Sequence, residues 1–240
     1  MRARSNRKRL GGFFATLTVS VGALGLVGIA CGHSSGGGGT SEPDDAGLPD
    51  RARLPAPVHV NPSPDASPGC QIVIESPPVL VGEHVAIGTD ITSWNSNPPS
   101  SGQHYPIWAA YQTYTDPVPR GYYVHDLEHG AVVLLYNCAN DGGSMDASSP
   151  DCQTIINGLK QVSDSLPDDP LCTSAGDGVR VRVVTTPDPL ITNRVAAAAW
   201  GWTYNATCLD IPSLTDFAKA HYGQGTEPVC ANGQTSFSTF

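Results

Sequence analysis

Six cysteines, Cys70, Cys138, Cys152, Cys172, Cys208 and Cys230, are spread over residues 70–230, and no two of them form a C-x-x-C pair. The count is even, and the spacing fits neither a thiolate zinc site nor a dithiol redox site, so three disulfides account for all six. Many pairings satisfy that count, and sequence alone does not choose among them. Cys138 and Cys152 flank the loop NDGGSMDASSPD, which a bridge between them would close. A chain cross-linked in this way folds in an oxidising compartment.

The start of the chain agrees. Arg2, Arg4, Arg7, Lys8 and Arg9 precede an uncharged run over residues 11–30, the pattern of an export signal. The run has the length of a membrane span, but it ends in Gly28-Ile29-Ala30 directly before Cys31, and no second apolar run follows. This ending resembles the lipobox of bacterial lipoproteins, with Gly28 in the place of the usual leucine. The resemblance implies that residues 1–30 are a signal peptide, that Cys31 is the lipidated first residue of the mature chain, and that lipid holds the protein to a membrane. Gly32 after the cysteine implies passage to the outer membrane, hence a place in the cell envelope facing the periplasm or the cell surface.

Five of the 13 Lys and Arg lie in that signal, leaving eight against 22 Asp and Glu and a mature net charge near −14. No basic patch is available to neutralise phosphates, which excludes nucleic acid as a partner. The acidity itself reads as solubility. Residues 31–69 are dominated by Gly, Ser, Pro and Asp and cannot bury a core, so they are expected to form a tether. Residues 70–240 are expected to be one globular domain.

Within that domain CQIVIE (70–75), HVAIG (84–88), AVVLLY (131–136), VRVRVV (179–184) and AAAAWGWTY (196–204) read as strands. AVVLLY is apolar on both faces and belongs in the middle of the sheet. Ile155, Ile156, Leu159 and Val162 recur at helical spacing after Asp151, a possible cap, over about 152–165. SLTDFAKAHYG, with Ser213 and Asp216 as a capping box and Gly223 as the stop, reads as a last helix. Residues 90–121 are a long run of turn formers interleaved with Tyr105, Trp108, Tyr111 and Tyr114; a loop of that length inside a domain is usually functional. The fold class expected is α+β, with two helices packed on one face of a mainly antiparallel sheet and a long aromatic loop.

The chemistry concentrates in VHDLEHG. His125 and His129 stand four apart, so one and a half helical turns put both imidazoles on one face, where they can share an ion. His104 and His84 are the available third and fourth ligands, and the four fall within residues 84–129. With the cysteines paired, imidazole is the softest donor left, and a nitrogen-rich site suits copper or zinc. Glu128 and Asp126 can ligate the ion themselves or accept from an imidazole and so orient it. The same residues have an ordinary alternative, since a histidine beside glycine at a helix end is stabilised by the helix dipole alone. HDLEH also matches H-x-x-E-H, in which two histidines bind zinc and Glu128 would activate water. That pattern needs a long helix and a downstream glutamate, whereas here glycine and a strand follow at once and Glu227, near the C-terminus, is the one later glutamate. There is no G-x-S-x-G, and Ser100-Ser101-Gly102 lies in a turn where serine is ordinary. His33 and His59, in the tether, read as bystanders, and His221, inside the last helix, as a surface or capping residue. The aromatic loop offers a further alternative, a stacking groove for a peptide or glycan.

NSNPPSSGQHY, VHDLEHGAVVLLYNC and AAAAWGWTY together resemble the bacterial "domain of unknown function 3105" family, over about His84 to Cys230, with Ser100 where threonine is commoner. The resemblance implies that His104, His125, Glu128 and His129 occupy signature positions and that Pro98, Pro99, Gly102 and Gly130 shape the backbone around them. It implies no activity. The expectation is therefore a lipid-anchored envelope protein that buffers or delivers copper or zinc through His104, His125, His129 and His84, with catalysis by Glu128 as a lesser alternative.

Overall fold

The computed structural model describes residues 56–237 apart from 141, 142 and 144. The expected signal peptide, Cys31 and most of the tether lie outside the described residues. Six strands form one sheet: β1 (Val58–Val60), β2 (Ile72–Glu75), β3 (Val132–Tyr136), β4 (Val183–Pro187), β5 (Val195–Ala199) and β6 (Trp202–Ala206), in the order β1-β2-β6-β5-β3-β4. Every neighbouring pair is antiparallel except β3 with β4, whose crossover carries α2 (Pro150–Ser165) and α3 (Pro170–Ala175). The remaining helices are α1 (Arg120–Glu128) and α4 (Ile211–His221). No helix among the described residues is long and apolar enough to cross a membrane.

The fold is α+β with a mostly antiparallel sheet, and the period-two alternation of β3 explains its two layers. Val132, Leu134 and Tyr136 face one side, against Ile155, Leu159 and Val162 of α2 and Leu214 and Phe217 of α4. Val133 and Leu135 face the other, against Tyr122, Tyr123, Val124 and Leu127 of α1 and Tyr105 and Tyr114 of the long loop. Helices thus cover both faces, not one. α1 escapes a periodicity search because all its residues but Arg120 are buried, so it has no polar stripe.

Several local expectations change. AAAAWGWTY is a hairpin, not one strand: Ala199 pairs with Trp202, and the chain reverses at Trp200-Gly201, where Gly201 takes φ +75°. HVAIG contributes only a bridge between His84 and His104, because the residues around it serve the loop rather than the sheet. β4 starts at Val183, since Arg182 is drawn to Asp169 (Nε to Oδ2, 2.9 Å) and to the carbonyl of His129. β1 pairs with β2 from inside the expected tether, so ordered structure begins before Cys70. α2 is capped by Ser149, whose Oγ accepts from Cys152 N, with Pro150 opening the helix and Asp151 in its first turn. α4 starts at Ile211, and Ser213 Oγ meets Tyr204 Oη (2.9 Å) instead of capping.

The six cysteines pair as Cys70–Cys208, Cys138–Cys152 and Cys172–Cys230. The first joins the entry of β2 to the exit of β6. The third ties α3 to the C-terminal segment, which bears on the site below.

Candidate metal centre

Two segments meet here, the end of α1 and the long loop. α1 stops in a Schellman motif: Ala131 N donates to Asp126 O (3.0 Å), Gly130 N donates to Leu127 O (2.9 Å), and Gly130 takes φ +82°. Glycine is required there twice over, by that φ and because a Cβ would lie 2.8 Å from Arg182 Nη1. The spacing of three places His125 and Glu128 on one face, while His129 becomes the C-cap and follows the turn.

The loop is held by Asn95. Its Oδ1 accepts from Ser100 N (3.0 Å) and Ser101 N (3.2 Å), and its Nδ2 donates to Ser100 Oγ (2.8 Å) and Pro78 O (3.1 Å). Ser100 O accepts from Gly201 N, which docks this turn on the β5–β6 hairpin, and the Asn97–Pro98 peptide within it is cis. From there the chain runs to His104, whose N donates to Glu83 O and whose O accepts from Val85 N, so that His84 and His104 lie side by side.

The ring nitrogens show what the cluster can do. His104 Nδ1 lies 2.9 Å from Gly102 O and His125 Nδ1 lies 2.6 Å from Tyr105 O. A carbonyl only accepts, so both Nδ1 atoms carry the proton and each Nε2 of a neutral ring presents a lone pair. This is the arrangement by which metal-ligating histidines are oriented. His104 Nε2 stands 2.9 Å from Glu128 Oε2, where an added proton or a cation must bridge the two acceptors. His125 Nε2 stands 3.1 Å from His129 Nε2, and His129 Nδ1 is buried without a hydrogen-bond partner.

Burial pushes His125 down to about 4, with His129 beside it adding to the effect. Burial also pushes His129 down to about 4, against the pull of Glu128. Both rings are therefore neutral at neutral pH and available as ligands. Burial alone would raise Glu128, but the hydrogen bond and charge of His104, with His125 and His84, hold its carboxyl below the usual range.

One donor atom from each of His84, His104, His125 and Glu128 lies within 4.8 Å of the other three, so this group can hold a metal ion. A tetrahedral site with bonds of about 2.1 Å separates its ligand atoms by roughly 3.4 Å, which small side-chain rotations reach from here. His104 is fully buried and His125 nearly so, whereas His84 is exposed and leaves the group open to solvent.

The structure thus brings His84, His104 and His125 together as expected from the sequence. Of the two roles open to Glu128, it places that carboxylate among the converging atoms, and it leaves His129 alongside His125, outside the four. Asp126 orients no imidazole. Its Oδ2 accepts from Ala109 N (3.1 Å), and full burial raises its carboxyl well above the usual range. His59 sits in β1, and His221 stacks on Trp202 with ring centres 4.2 Å apart.

Three neighbours were not legible as site residues. Trp108 packs edge-on against His129 (4.6 Å) and His125 (5.2 Å). Gly82 crosses directly over Glu128, and Glu227 reaches within 4.0 Å of His129. Trp108 stood out only as one of the loop aromatics and Glu227 only as the one glutamate downstream of H-x-x-E-H, while Gly82 gave no local signal.

The family described as "Protein of unknown function (DUF3105)" matches residues 84–235. The chain belongs to the DUF3105 family. The DUF3105 match opens at His84 and contains every residue of the converging group. No curated protein and no solved structure matches the chain.

Proposed function

We infer that this DUF3105 protein binds one copper or zinc ion through His84, His104, His125 and Glu128, and that it buffers the ion or hands it on. The observation that carries this reading is the pair of carbonyl contacts at His104 and His125, which turn two buried Nε2 lone pairs toward one carboxylate and one exposed imidazole. The six paired cysteines offer no thiolate, so three nitrogens and an oxygen favour zinc or divalent copper. A group with one exposed member, His84, suits an exchangeable ion more than permanent structural retention. Lipid on Cys31 would hold the domain at the outer membrane, on a tether long enough to meet a partner protein.

The hydrolase reading of H-x-x-E-H is weakened, because Glu128 is engaged with His104 and α1 ends before His129. A groove for a peptide or glycan keeps one observation in its favour, a cavity of about 1230 Å³ on the far side of Tyr105, lined by Trp94, Tyr114 and Phe237 among others.

The test is elemental analysis of the full chain, extracted in detergent and carrying no His-tag, beside His104→Ala and Glu128→Gln. About one equivalent of copper or zinc in the parent, lost from variants that keep their circular dichroism, supports the reading. A parent that stays metal-free after incubation with both ions and dialysis refutes it.

A further inference from the structure

The C-terminal segment crosses the end of α1 with its main chain in direct contact. Gly223 N donates to Gly130 O (2.8 Å), and Glu227 N donates to Glu128 O (2.9 Å). Gly225 allows the approach, since a Cβ there would stand 2.1 Å from Glu128 O. Three residues beyond Glu227, Cys230 is bonded to Cys172. The backbone of Glu227 is therefore fixed against a residue of the converging group, while its carboxylate remains 59% exposed.

That carboxylate faces inward to one imidazole. Glu227 Oε2 lies 4.0 Å from His129 Nε2, and His129, only 3% exposed, places the same Nε2 3.1 Å from His125 Nε2. Oxygen and nitrogen donors thus form a line from solvent to the inner group. By contrast, the carboxylate next to His84, Glu83, is occupied by Gln103 Nε2 at 2.9 Å.

The geometry points to Glu227 and His129 as the loading port of the metal centre: a divalent copper or zinc ion is caught by the Glu227 carboxylate, passes to His129 and moves onto His125, and it leaves by the same steps. This rests on the metal-binding reading of the inner group. At each step one ligand bond forms as another breaks, with water leaving as protein donors replace it, so the ion is never stripped of all ligands. An acceptor of the ion would present its own donor atoms at the surface around Glu227.

The experiment is rapid mixing of the full chain with copper(II) alone, followed by quenching of tryptophan emission; Trp108, against both His129 and His125, is the reporter, and Trp108→Phe identifies its share of the signal. Glu227→Gln is expected to load about tenfold more slowly at low salt, the lower end of electrostatic steering, with a final stoichiometry still near one. The difference shrinks as ionic strength approaches 1 M, where charges are screened over about 3 Å. Glu83→Gln, the same change of charge, loads at the parent rate. Equal rates for Glu227→Gln and parent, or an equal slowing by Glu83→Gln, overturn the port. A parent that binds no copper at equilibrium overturns the inner site and the port together, which separates that failure from a failure of the port alone.

Discussion

Gly82 passes over Glu128 at a point where a methyl group has no room. A Cβ there would stand 2.1 Å from Glu128 Oε1 and 3.3 Å from the Trp200 ring. Ordinary contact needs well over 3 Å, so in Gly82→Ala the carboxylate withdraws by roughly 1.3 Å. The obstructed atom is the far end of a flexible side chain, so the backbone has no need to move. The bond from Glu128 Oε2 to His104 Nε2, now 2.9 Å, then falls outside hydrogen-bond range. Such a bond to a charged group contributes about 2 kcal/mol. The metal-free chain should lose about that much stability, and zinc affinity should fall as well, because the displaced carboxylate no longer converges with the three imidazoles. Urea unfolding of the metal-free chain and competition with a chromophoric chelator measure the two effects. The decisive control is the double-mutant cycle: in a Glu128→Ala background the overlap is gone, so Gly82→Ala should change little. An equal effect of Gly82→Ala in both backgrounds would show that the glycine serves the backbone and not the carboxylate.

Two further outcomes follow from the same structure. His125 and His129 are held near 4 in the folded chain against about 6.5 in the unfolded one, so below pH 6.5 the unfolded chain takes up protons first. Their contribution to stability is complete above about pH 6.5 and is lost as the pH falls toward 4; urea midpoints of the metal-free chain should decline across that window, and a flat profile contradicts the assignment. Replacing Cys172 and Cys230 together by serine opens a cross-link that spans 58 residues, which on chain entropy costs about 4 kcal/mol. Hydrogen exchange at Glu227 N should accelerate in that variant, and unchanged protection there would mean that the C-terminal segment holds its place without the disulfide.

Much of the architecture was legible where local chemistry and the final fold agree. AVVLLY is buried on both faces, and its doubly apolar pattern says so. The stripe of α2 and the Gly223 stop after α4 are equally local. Of the histidines, only the His125 and His129 pair was legible locally, from its spacing on one short helix; His84 and His104 were grouped with it by proximity in sequence alone. What failed was non-local. AAAAWGWTY hides a hairpin because tryptophan and glycine at a turn look like the interior of an aromatic strand. α1 hides because burial on all sides removes its periodicity. His129 keeps the place that helical spacing gives it beside His125, 3.1 Å between the Nε2 atoms, and that Glu128 and not His129 completes the group follows from where the distant loop sets His84 and His104. Glu227 is joined to the site through a main-chain bond to the end of α1 and a disulfide to α3, and nothing in its own neighbourhood of sequence marks it.

The C-terminal segment also sets an order of events. A chain made from its N-terminus has all four converging donors in place by residue 128, yet Gly223, Glu227 and the carbonyl of Ala231, which holds Trp108 Nε1, follow only about a hundred residues later. The converging residues are therefore old and their backing is young during synthesis. A nascent chain carries the histidines before the segment that walls them in, and the order of the group waits for that segment to arrive.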